Sequence, residues 1–150
     1  MQNMKILNKK GVKHILDAIE KQWGAGFDTG NAFFQKDNGK IYLMNRGFSR
    51  IDADKLRINS LGLYLGEMKD GELRLSIEGS QIIGPDAKKN VLELNEAETK
   101  EWMRGTDLEN ESEMKGFVIM KNNEDFLGCG KVTQKKVLNF VNKARRVEIF

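Results

Sequence analysis

The chain has 150 residues, 39% apolar and 31% charged, with a net charge of +3 at neutral pH. That suffices for one domain or two small ones with a packed core, and the total charge is too small to signal nucleic acid by itself. One cysteine excludes an internal disulfide and a CxxC zinc knuckle, no run approaches the ~18 apolar residues of a membrane span, and MQNMKILNKKG lacks the apolar segment of a signal peptide.

Asn8 is placed to cap a helix over KKGVKHILDAIEKQW, where Val12, Ile15, Leu16, Ile19 and Trp23 repeat at helical spacing. Gly24 and Gly26 end it. His14 falls off the apolar stripe and reads as a solvated residue. NAFFQKDNGKIYLMN predicts a hairpin turning at Asp-Asn-Gly, and INSLGLYLGEMKDGELRLSI predicts a second turning at Asp70-Gly71. EGSQIIG reads as a short helix. The only proline, Pro85, marks the candidate boundary between a domain over 1–85 and one over 86–150. Beyond it, Val91 to Leu94 reads as a strand. Asn95 and Glu98 form a variant capping box for a helix through Trp102 and Met103 that ends at Gly105. Phe117 to Met120 then pairs with Phe126 to Val132 through the turn NNED. The class is α+β.

Enzyme motifs are missing. No GxGxxG follows a strand, and GCGK at residues 128–131 has the wrong spacing for a phosphate loop. Cys129 has no base near it in sequence and reads as a buried small hydrophobe. No cofactor, metal site or catalytic residue is expected.

Charge distribution is more informative. Residues 93–113 carry eight acidic and two basic side chains, whereas residues 131–146 carry six cations and no carboxylate. Those six are Lys131, Lys135, Lys136, Lys143, Arg145 and Arg146. Apolar residues among them, including Val137, Leu138, Phe140 and Val141, imply that the cations are mounted on folded structure. Such groups can neutralise phosphates, while Asn139 and Asn142 can read a base edge or a 2′-hydroxyl. The alternative is a solvated basic edge that resists aggregation. A second basic cluster, Arg46, Arg50, Lys55 and Arg57, is offset by Asp52 and Asp54 and reads as internal salt bridging.

The stretch VLELNEAETKEWMRGTDLENESEMKGFVIMKNNEDFLGCGKV, followed by VLNFVNKARR, resembles a PUA domain, a small RNA-binding pseudobarrel. It is closest to the C-terminal module of Nol/Nop/Sun-type rRNA cytosine-5 methyltransferases, and RINSLGLYLGEMKDGELRLSIEGSQIIG resembles the segment leading into that module. Cys129 departs from the aromatic often found between the glycines, and Asn142-Lys143 from a Pro-Lys pair. The resemblance implies a pre-PUA-like α/β domain followed by a PUA-like barrel, without the methyltransferase domain or its Pro-Cys nucleophile motif. It further implies an RNA surface at Arg104, Gly105, Lys131, Asn139, Lys143, Arg145 and Arg146. The expected protein is cytoplasmic and non-catalytic. It binds structured RNA in rRNA or tRNA maturation, or docks an RNA-modifying enzyme or ribosome-assembly protein, and it has no membrane partner.

Overall fold

Asn8 opens the first helix by accepting the Gly11 backbone N–H at 2.9 Å, and α1 (Lys9–Trp23) follows. Gly24, at φ 65°, closes it. Its buried face carries Ile15, Ala18, Ile19 and Trp23, and His14 is exposed. The structure is a computed structural model that describes residues 4–27, 31–45 and 62–141, the side chains of Asn31 and Asn45 excepted. The cluster of Arg46, Arg50, Lys55 and Arg57 lies outside the described residues.

The first sheet is an antiparallel meander in chain order: β1 (Met4–Ile6), β2 (Asn31–Lys36), β3 (Lys40–Asn45), β4 (Leu63–Lys69) and β5 (Glu72–Leu75). Both expected hairpins are in it. Asp70 and Gly71 take the φ values of 54° and 81° that a two-residue turn demands. β1 has no sequence signature; it forms by pairing Met4 with Lys36 and Ile6 with Phe34. Helix α1 covers the open edge of β5 with one side chain. Gln22 donates to the Leu73 carbonyl at 2.9 Å and accepts the Leu73 N–H at 2.8 Å.

Ser76 caps α2 (Ile77–Ile83), and a 3₁₀ turn, Gly84–Asp86, leads to the second sheet. That sheet comprises β6 (Val91–Glu93), β7 (Leu108–Glu109), β8 (Gly116–Asn122), β9 (Asp125–Val132) and β10 (Lys136–Asn139), in the order β6-β8-β9-β10-β7. β6 runs parallel to β8, and the other pairs are antiparallel. Between β6 and β7 lies α3 (Glu96–Met103), with the Asn95–Glu98 capping box fully formed. The acidic stretch 107–113, which reads as a loop in sequence, contributes β7. Leu108 and Glu109 pair with Val137 and Lys136.

The α+β class is as expected. Its core, however, crosses Pro85. One cluster joins Ile15, Trp23, Phe33, Leu65, Leu73 and Ile83 to Ile119 and Cys129 of β8 and β9. A second holds Leu94, Trp102, Val118, Met120, Val137 and Val141. The joint is close. A Cβ on Gly84 would lie 2.2 Å from the Phe126 ring, so that ring rests on bare backbone. The Trp23 carbonyl accepts the Lys88 N–H at 2.8 Å, and the Gln22 carbonyl accepts the Asn90 amide.

Candidate nucleic-acid interface

The GCGK segment packs rather than cradles phosphate. It lies inside β9, and a Cβ on Gly130 would stand 2.5 Å from Val137 and 2.7 Å from the Trp102 indole. Alternation along β9 sends Gly130 toward Trp102 and its neighbours Cys129 and Lys131 to the opposite face. On that face the first half of the chain covers Ile119 and Cys129. The next cross-strand row pairs Phe117 with Lys131 and Lys131 with Leu138, and Phe117 still packs against that core. Lys131 is exposed there, its Nζ 5.5 Å from the Phe117 ring centroid.

The structure divides the candidate residues. Lys131, Lys135 and Lys136 are exposed around the β9–β10 turn, and among the described residues they form no ion pair within 4.0 Å. Lys136 sits opposite Glu109 across the β10–β7 pair, so the acidic strand borders the basic turn. Arg104, at the end of α3, forms an exposed ion pair with Glu101 at 3.1 Å, a weak constraint on its availability. Gly105 takes φ 93° and turns the chain out of the helix. Asn142, Lys143, Arg145 and Arg146 lie outside the described residues.

Asn139 faces inward. Its amide donates to the carbonyls of Trp102 at 2.8 Å and Thr106 at 3.0 Å, and its oxygen accepts the Val141 N–H at 2.7 Å. Its own N–H donates to Asp107 at 2.8 Å. Both amide hydrogens are thus spent on holding the α3 exit against β10. These bonds give Asn139 a positioning task at the α3 exit.

Phe140 does not serve as the buried anchor that its apolar character implies. It is 39% exposed, while Val137 and Val141 on either side fill the core. The Arg74 guanidinium lies over its ring at 4.6 Å, and the Phe117 centroid is 6.4 Å away. Sequence reasoning missed this stack because Arg74 comes from β5, across the candidate domain boundary. The interleaving of a phenylalanine with lysines was the available signal.

Cys129 is buried, as expected. Desolvation pushes its thiol from 9.0 up to about 12. At neutral pH the thiol therefore stays protonated and unreactive. Iodoacetamide should label Cys129 readily in the urea-unfolded chain and hardly at all in the native protein; fast native labelling would contradict this burial. Between about pH 9 and 12 the folded chain retains a proton that the unfolded chain releases, so this group's contribution to stability falls as pH rises through that window. Among the described residues, no group of three or more His, Cys, Asp or Glu is placed to hold a metal, and no helix is long and apolar enough to cross a membrane.

Comparison with known proteins bears on the same region. Residues 89–147 match the family model described as the Methyltransferase RsmF PUA domain. The chain is 31% identical over 134 residues to ribosomal RNA small subunit methyltransferase F of Aeromonas salmonicida, and equally so to that of Aeromonas hydrophila. These alignments cover 89% of this chain but only 27% of each relative's length. The matched family segment contains α3, the β8–β9 hairpin and β10, the elements that carry the candidate residues. Residues 89–147 thus resemble the PUA module of Nol/Nop/Sun-type rRNA methyltransferases.

Proposed function

We propose that this protein is a cytoplasmic, non-catalytic RNA-binding protein of rRNA or tRNA maturation, and that it holds structured RNA through a basic face of its PUA domain. The match of residues 89–147 to the PUA domain of an rRNA methyltransferase carries this reading. Residues 1–85 act as a pre-PUA-like unit and residues 86–150 as the PUA-like unit. Lys131, Lys135 and Lys136 meet phosphates, with Arg104 at the Gly105 turn. Lys143, Arg145 and Arg146 extend the same basic run, and Asn142 adds a polar contact. Recognition is by shape and backbone charge, as is usual for structured RNA. The methyltransferase activity in the relatives' names is not assigned to this chain.

The test is titration of small-subunit rRNA fragments against the whole chain at several salt concentrations. Native protein should lose affinity steeply as salt rises. The Lys131→Ala, Lys135→Ala, Lys136→Ala triple variant should bind more weakly and lower the slope of log affinity against log salt by about three. An unchanged slope removes these lysines from the interface. A flat slope in the native protein moves the assignment to docking on a protein partner.

A further inference from the structure

A strip of alternating aromatic and cationic side chains crosses the joint between the two sheets. Lys36 Nζ lies 5.0 Å from the Tyr42 ring centroid. Tyr42 faces Tyr64 across β3 and β4 at 5.3 Å, and Lys40 Nζ lies 5.8 Å from Tyr64. Tyr64, Lys40, Arg74 and Phe140 then line one cavity of about 290 Å³. Arg74 covers Phe140 at 4.6 Å, Phe140 meets Phe117 at 6.4 Å, and Lys131 ends the strip 5.5 Å from Phe117.

Two features set this strip apart from an ordinary solvated surface. Phe140 is one of two large apolar side chains more than a third exposed among the described residues. It stands beside a cavity at the small end of ligand size, too small for a helix and suited to one planar group. The cations also come from four separate elements, β2, β3, β5 and β9. Aromatic faces at intervals with cations between them are what a single strand of nucleic acid requires. Its bases stack on rings or guanidinium planes, and its phosphates follow the charges.

We infer that this strip binds an unpaired segment of RNA, with one base stacked at Phe140 and Arg74 and the flanking phosphates met by Lys40 and Lys131. The inference rests on the RNA-binding reading above. It adds a second subsite, built largely from the first half of the chain and specific for unstacked nucleotides. Glu67 takes one Arg74 donor at 2.8 Å and fixes the guanidinium over the ring.

The experiment uses the whole chain and two fluorescent probes, a single-stranded oligouridylate of about ten nucleotides and a blunt RNA duplex of equal length. Phe140→Leu keeps apolar volume but removes the π-face. It should weaken binding of the single strand by about tenfold and leave duplex affinity and the salt slope unchanged. Phe140→Tyr should restore single-strand binding, which a merely structural role for the position would not predict. Equal single-strand affinity in native protein and Phe140→Leu overturns the inference, as does an equal loss on both probes. If the duplex still binds with a steep salt slope in either of those cases, the RNA-binding reading stands without the strip. If native protein binds neither probe, both fall.

Discussion

Trp102→Ala should lower the free energy of unfolding by about 3–5 kcal/mol, read as a fall in the urea midpoint at an unchanged slope. The indole is fully buried. It lies under Gly130, where a Cβ would approach it to 2.7 Å, and its backbone carbonyl accepts a hydrogen bond from the Asn139 amide. Removing it leaves a cavity between α3 and β9 that its neighbours refill only in part. A domain of this size has about 5–15 kcal/mol in hand, so the loss is a large fraction of the whole. β10 depends on the same contacts, so the proposed RNA binding should decline at temperatures where the variant begins to unfold. Trp102→Phe, which keeps most of the buried area, should cost less. A midpoint that does not move on Trp102→Ala would contradict the packing described.

The second large effect concerns the joint at Pro85. The fragment 86–150 should show no sharp urea transition and should bind a hydrophobic dye, while the whole chain unfolds in one cooperative step. Ile119 and Cys129 are 0% and 4% exposed, and they owe that to residues from the first half. Phe126 loses the Gly84 backbone it rests on, and Asn90 loses the Gln22 carbonyl to which its amide donates. A fragment of this length buries a smaller share of its surface than the whole chain, so its margin is thin. A fragment midpoint equal to that of the whole chain would show that the shared cluster contributes little. Binding studies therefore call for all 150 residues rather than the fragment.

Sequence carried the local parts of this architecture well. α1 begins at Asn8 and ends at Gly24, and the hairpin turns at Asp70-Gly71 and Asn123 lie where their left-handed residues require. The Asn95–Glu98 capping box is a three-residue relationship and was equally visible. What escaped depends on partners distant in the chain. β1 is three residues long and is defined only by β2. β7 is two residues long and exists because β10 lies beside it. Lys131, Lys135 and Lys136 were legible as a basic run, but the Glu109 strand beside them was not. Composition reveals the donors of Asn139 and not that both bond backbone carbonyls. Phe140 looked like core because composition does not show which apolar residues face inward, and the Arg74 that stacks on it lies sixty-six positions earlier in the chain.

The inward amide of Asn139 has a consequence for its neighbour. By accepting the Val141 N–H, it fixes the backbone beyond β10 with Val141 in the core and Phe140 exposed. The ring is held through this fixed backbone and from one side by the Arg74 guanidinium. Its rotational freedom is therefore surrendered when the chain folds rather than when a ligand arrives. A partner that stacks on it meets a preorganised surface and forfeits less entropy, which favours affinity without adding a single contact.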